Sequence, residues 1–550
     1  MPGSNIAVSL FLWIVAIVPL AAILFLLVGL RWQAASAAPA GYFLAMGAAF
    51  LFFETSAWNM ALQTVKGLWD AVFILYVIVP ALLLYQISKE GGAFRSLRIG
   101  IEAYTPNNLL HILAFGWVFA SFLQGITGFG APIAVTAPLL VAVGVKPLWA
   151  VIIPLIGHSW ANTFGTLAVA WEGLRLAADI PDPMFTAGLA AGMLFIPNLL
   201  AGFSIAWLYG RKAGLKEALP AVLIISGIHG IGQLALAPFI PTLAGFVPAT
   251  AAVFAVIGLA RTRWYRGDSA VEQSPVMREE DQKDLGRALE EEALGEGGRR
   301  EEMPLSTALA PYLVLIVLIV GVLLVPPVRD SLESFQVGLP FPRLETGMGV
   351  VTEAKEAYSA FSPLTHPGTF LLASALIAFL LFKLRGHIPG MRIDDILVNT
   401  VKTSIPSAMA LFALIPLAKV MEGSGQIMVL ALGIANVASG TAYAFTAPFI
   451  GSLGAFMTSS NLSSNILFGP LQKSTAEALF IPTSVSLASQ TAGAAIGNSI
   501  APGNVLLGTG AVGIPGQEGS VIRRTLVFMM ISVALAGLIA VIVFYMGAPQ

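Results

Sequence analysis

The sequence predicts an all-α polytopic membrane protein built from two inverted repeats, each carrying a re-entrant or broken helical hairpin. Three observations lead there. Of the 550 residues, 57% are hydrophobic and only 11% charged, with a mean hydropathy of +0.83, whereas soluble domains carry roughly 25% charged residues. The apolar stretch from Gln124 to Trp171 is interrupted by Gly125, Gly128, Gly130, Pro132 and Pro138, and it holds Thr127, Thr136, His158, Ser159, Asn162 and Thr163. The stretch from Thr458 to Gly510 repeats that order of events: apolar helix, small and polar break, amphipathic return, then a segment rich in Gly, Ser, Asn and Thr. Broken backbone at membrane depth is tolerated only where protein or a water-filled cavity satisfies it. Paired interrupted segments in two halves are the sequence mark of a secondary transporter's site.

In chain order, spans of about 20 apolar residues are expected near 6–30, 38–62, 68–88 and 109–124, with a return arm near 128–145. Further spans are expected near 148–170, 183–209, 217–237, 242–262, 305–327, 364–386 and 395–420. Hairpin arms follow near 424–441 and 444–468, and final spans near 482–511 and 522–546. The implied units are a first span (1–37), repeat 1 (38–211, with hairpin 109–145 and broken helix 148–170) and two linking spans (212–262). A cytoplasmic polar loop (263–304), a linking span with an external loop (305–362) and repeat 2 (363–550, with hairpin 424–468 and broken helix 482–511) complete the chain. The polar loop reads as a solvated linker.

Basic residues set the orientation. Arg31, the Lys89/Arg95/Arg98 group, Arg211/Lys212/Lys216, Arg261/Arg263/Arg266, Lys383/Arg385/Arg392 and Arg523/Arg524 all fall inside under one assignment, as the positive-inside rule requires. Both termini are then outside, and the first hairpin opens inward while the second opens outward. Arg329, Arg343 and Lys355 of 328–362 run mildly against this scheme.

The chain has no cysteine, which excludes disulfides and thiol chemistry. It has neither GxxxxGK[ST] nor HExxH, and the reading is of a non-enzyme without cofactor, metal or nucleic-acid partner. Helix N-termini at the breaks suit anions. The expected anion contacts are Thr127, Gly128, Phe129, Gly130, Ser159, Asn162, Ser460, Ser463, Ser464, Asn465 and Thr491. For any single hydroxyl the competing role is a bond back to its own helix. His158 is the expected proton carrier, set against a neutral imidazole bonded to a backbone carbonyl. Gln124, Asn461 and Asn498 form a candidate cation site. Glu172 and Arg175 read as a gate or an interfacial pair, Lys473 and Glu477 as an i,i+4 pair, and Lys419 as a side chain reaching for the interface.

GITGFGAPIAVTAPLLVAVG (Gly125–Gly144), LIGHSWANTFGT (Leu155–Thr166), SSNILFGPLQKSTA (Ser463–Ala476), GNSIAPGNV (Gly497–Val505) and GIPGQEGSVIRRTL (Gly513–Leu526) resemble the signature segments of the L-lactate permeases in order and spacing. The resemblance spans most of the chain and is weakest in the loops and 217–304. It implies a bacterial inner-membrane carrier for L-lactate, glycolate or D-lactate, usually proton-coupled, with inverted repeats and re-entrant hairpins. The expected movement is alternating access of elevator type, in a lipid-embedded protein that can be a homodimer. Where this chain has Gln124, Asn461 and Asn498 the family pattern carries Glu, Asp and Lys; each change replaces a charge by an amide. That keeps open an alternative, a Na+-coupled carrier of another small organic anion such as a sulfonate or larger carboxylate. An anion channel is a further alternative.

Overall fold

The computed structural model describes residues 9–103, 105–278, 303–388 and 393–547. Among them are ten helices long and apolar enough to cross a membrane. Their burial sorts them. Every residue in the apolar window of Asn108–Ile126 is buried, against 22% for Leu10–Gly29. The outer helices turn Phe43, Trp58, Val317 and Leu384 outward, as lipid permits.

The outer group centres on Ala57–Glu90 and Ile393–Ser424, which pack along each other with Ala34–Phe52 and Pro367–Leu384 beside them. Close approach is built in: a Cβ at Gly67 would lie 2.4 Å from Pro416 Cα. Ala57–Glu90 is one continuous helix of 34 residues, which corrects the expected division near 62–68. The break falls earlier, where Glu54 is left-handed (φ 48°) and Ser56 caps the Asn59 N–H at 3.1 Å. Pro183–Leu236 is divided at Gly210 and Arg211, whose backbones leave the helical region.

The inner group holds the hairpins and broken helices. The first hairpin runs Asn108–Ile126, a tip at 127–130, then Ala131–Ala142. The first broken helix is Pro147–Gly157, a 3-10 turn Ser159–Ala161, then Gly165–Ala178. The second hairpin is Gly440–Thr458 and Asn461–Ala478, not arms near 424–441 and 444–468. Gly425 (φ 91°) instead starts a separate short helix, Gln426–Ala435, which packs on Asn461–Ala478. Ser439 caps the next arm through the Ala442 N–H, and left-handed Ser459 (φ 56°) ends it. The second broken helix is Thr483–Gly497, Asn498–Ile500 and Pro502–Ala511.

The packing of these four units is reciprocal. Each first arm touches the first half of its own broken helix through glycine: a Cβ at Gly157 would lie 2.1 Å from Gly116 O, and one at Gly493 would lie 1.9 Å from Pro448 O. Each second arm packs on the second half of the other broken helix, Ala131–Ala142 on Pro502–Ala511 and Asn461–Ala478 on Gly165–Ala178.

Two short antiparallel ribbons stand outside the helices, Val337–Phe341 with Lys355–Phe361 and Leu344–Glu345 with Val351–Thr352. They occupy a stretch expected to be plain loop. Of the polar loop, residues 279–302 lie outside the described residues, while Lys146 donates to Pro275 O at 2.9 Å.

Candidate functional site

The local sequence explains each break. Pro154 and Gly157 end the first helix at His158, and Thr166, Leu167 and Ala168 then turn left-handed in succession (φ 50°, 51° and 66°). Left-handed backbone costs roughly 1–2 kcal/mol per non-glycine residue, so the packing around this turn must hold it. At the first tip Gly128, Phe129 and Gly130 are also left-handed (φ 55°, 50° and 82°), and there glycine is the fitting residue. In the second unit Pro502 restarts the helix after Ala501. Ser459 Oγ then accepts from the Gly503 N–H at 2.9 Å, joining the second tip to the second break.

The two halves interlock through amides and hydroxyls. Asn162 Nδ2 donates to Ser159 O (3.0 Å) and across to Ala495 O (3.3 Å). Its Oδ1 accepts from Asn498 Nδ2 at 3.0 Å, and Asn498 Oδ1 accepts from Asn504 Nδ2 at 2.9 Å. At the next residue, Thr163 Oγ1 donates to Thr491 O at 3.0 Å and accepts from Asn461 Nδ2 at 3.2 Å. Asn465 Nδ2 donates to Ala170 O and Thr491 Oγ1, both at 2.9 Å. Asn465 thus ties the second hairpin to both broken helices.

These bonds fix the amide orientations. Ala170 O can only accept, so the Asn465 nitrogen must face it. Thr163 spends its proton on Thr491 O, so Asn461 must present its nitrogen as well. No hydrogen-bond donor among the described residues then reaches Asn461 Oδ1 or Asn465 Oδ1, although both are buried.

Asn162, Asn461, Asn465, Thr491 and Asn498 therefore meet in one knot. Others have local partners: Thr127 Oγ1 bonds Leu123 O, Ser159 Oγ bonds Ile156 O, and Ser460 caps the Ser463 N–H, while Ser464 Oγ donates to Gly451 O across its own hairpin and accepts from Gln490 Nε2 of the second broken helix at 3.1 Å. Gln124 packs against Gly128 and Gly165. Phe129 and Gly130 lie at the tip, and a Cβ at Gly130 would lie 2.3 Å from Leu507 Cδ1. His158 Nδ1 lies 2.5 Å from Pro154 O; since that oxygen only accepts, Nδ1 carries the proton and Nε2 is bare. Thr163 and Asn504 belong to the knot too, and the readable signal for Asn504 is its place in the GNSIAPGNV run beside Asn498.

Gly130→Ala adds left-handed strain to that clash, on the order of 1–3 kcal/mol in total. A lower thermal midpoint of the purified protein is the expected result, and an unchanged midpoint would mean that the tip repacks freely.

Three lysine and arginine readings change or sharpen. Lys419 does not reach for the interface: it is buried, donates to Leu176 O at 2.6 Å and lies 3.6 Å from Asp70 Oδ2. Lys473 does not pair with Glu477 but donates to Asp179 O at 2.9 Å. Both ammonium groups thus hold the carbonyl end of Gly165–Ala178, where the helix dipole favours cations. Glu172 and Arg175 are paired at 2.8 Å.

The L-lactate permease family model matches residues 13–547. The chain belongs to that family. The L-lactate permease of Escherichia coli strain K12 is 29% identical over 99% of this chain and 97% of its own length. The L-lactate permease of Halalkalibacterium halodurans is 29% identical, with 96% and 95% covered. The glycolate permease GlcA of Escherichia coli strain K12 is 28% identical, with 88% and 86% covered. Among solved structures, the YdaH transporter of Alcanivorax borkumensis matches at 14% identity and a TM-score of 0.34, covering 82% of this chain and 88% of that one. That score is too low to transfer topology. Family membership accords with the ten apolar helices, and Asn162, Thr163, Asn465, Asn498 and Asn504 of the interlock lie within three of the five segments that carried the resemblance.

Proposed function

We propose that this protein carries a small monocarboxylate such as L-lactate or glycolate across the membrane by alternating access, in symport with H+. One observation carries the reading: the second hairpin and two broken helices, far apart in sequence, join in a single buried network of amides and hydroxyls, and the first hairpin tip packs beside it at the helix ends. Such ends offer unpaired N–H groups to a carboxylate, and the network shares its members between both halves, so a change at the site is felt by the whole inner group. The reciprocal packing supports reading the units as inverted repeats, and the outer pair Ala57–Glu90 and Ile393–Ser424 as the frame along which the inner group slides.

His158 is the proposed proton carrier. Its tautomer, held by Pro154 O, leaves Nε2 as the nitrogen that takes up a proton. In proteoliposomes, His158→Ala is expected to reduce uptake driven by an acid-outside gradient at least about tenfold while exchange of labelled for unlabelled L-lactate continues, the separation that follows when only the driven step needs the proton. Equal loss of both activities in a folded protein would make His158 a binding or structural residue.

A second reading, coupling to Na+, has its own support in Asn461 Oδ1 and Asn465 Oδ1. Hard cations take amide, carbonyl and hydroxyl oxygens, and Thr163 and Thr491 supply hydroxyls beside the two amides. Uptake that needs Na+ and ignores pH would select this reading.

A further inference from the structure

A cavity of about 410 Å³ lies at the ribbon end of the molecule, away from the interlocked breaks. One wall is the frame, with Gln63 and Lys66 from Ala57–Glu90 and Lys419 from Ile393–Ser424; another is the carbonyl end of Gly165–Ala178; Tyr358 of the ribbon closes it. Its charges divide by depth. At the rim Arg175, Asp179, Glu353, Lys355 and Glu422 are all exposed, where water screens them. At the base Lys66 is 3% exposed and Lys419 8%.

Those two lysines are not equivalent. Lys419 has Asp70 and the Leu176 carbonyl, and Asp70 is further held by the Tyr358 hydroxyl at 2.7 Å. Lys66 has no carboxylate within 4.0 Å among the described residues. Its ammonium faces the rings of Phe341 at 5.2 Å and Tyr358 at 5.4 Å. Aromatic faces return only about 0.5–2 kcal/mol to a cation, less than burial of an unpaired charge costs. An anion entering from solution supplies the missing partner.

We infer that this cavity is a second anion seat, in which Lys66 takes the carboxylate of a small monocarboxylate of the class the carrier moves. The inference rests on the proposed transport reading for the identity of the anion. The seat touches both the frame and the first broken helix, so an occupant bears on the surface where the two groups meet.

The chain has no cysteine, so one introduced at the cavity wall is labelled specifically. Val351 lines the cavity and is 38% exposed. In purified Val351→Cys protein, L-lactate at ten times its half-protecting concentration is expected to slow maleimide labelling about tenfold, by mass action. Adding Lys66→Met is expected to abolish that protection, and adding Lys66→Arg to preserve most of it. Unprotected labelling, or protection that survives Lys66→Met in a folded protein, overturns the seat. Equal protection by chloride overturns its assignment to monocarboxylates. Lactate exchange in proteoliposomes, run on the same Val351→Cys protein, separates the two readings: exchange without protection removes the seat and leaves the carrier, whereas protection without exchange removes the carrier reading.

Discussion

Asn465→Leu is expected to slow lactate exchange in proteoliposomes severely. The leucine has the same branched heavy-atom shape as asparagine but cannot donate to Ala170 O or Thr491 Oγ1, which now receive bonds at 2.9 Å. A buried polar group left without its partner costs about 1–3 kcal/mol, and two such groups on two different broken helices would loosen the joint between the halves. Each 1.4 kcal/mol is about a factor of ten in rate, so a fall of ten- to a hundredfold is the expected scale. Thr136→Ala is the comparison. Its bond to Pro132 O stays inside one helix, and its removal is expected to cost about 1 kcal/mol of stability with exchange largely kept. Equal exchange in the wild type and Asn465→Leu would mean that the network only packs the helices.

Lys419→Met is expected to be the most destabilising single change in the outer group. It leaves the Asp70 carboxylate, 0% exposed, without its cation. Breaking a buried pair from one side costs about 3–5 kcal/mol, whereas removing both charges is often close to neutral. Thermal unfolding of purified protein should therefore show a large loss for Lys419→Met and a substantial recovery for Asp70→Asn/Lys419→Met. A single variant as stable as the wild type would mean that Asp70 is already uncharged. The double variant still loses the tie from Lys419 to Leu176 O, so its residual deficit measures the link between frame and broken helix.

The legible parts of the fold were those written in composition and in breaks. Apolar length identified the spans, and glycine, proline and asparagine clusters marked both broken helices and the first hairpin tip. The arms expected near 424–441 and 444–468 miss the second hairpin by one short helix, although the polar break that starts at Thr458 does lie at its tip. In the fold Gly425 starts that separate short helix and Gly440 opens the true first arm. The frame was misread for a related reason: dividing the chain near 62–68 placed Lys66 in a loop, so its i,i+4 neighbour Asp70 could not be seen as its companion on a buried helix face. Tyr358 was out of reach because the ribbon that delivers it has too few residues for strand periodicity to stand out. Within the knot, the residue types were readable but the pairing was not. Asn162 and Asn498 are separated by 336 positions, and only tertiary packing decides that they meet. The same packing gave Thr127 and Ser159 the local carbonyl partners that small hydroxyls take in helices.

The most direct test is accumulation of labelled L-lactate in proteoliposomes holding the purified wild-type protein, with an H+ gradient and then a Na+ gradient imposed. Transient accumulation above equilibrium is the expected result when the outside is acid, with no requirement for Na+. Accumulation driven by Na+ alone would move the coupling site from His158 to the amide oxygens of Asn461 and Asn465. Absence of both driven uptake and exchange would contradict monocarboxylate transport itself.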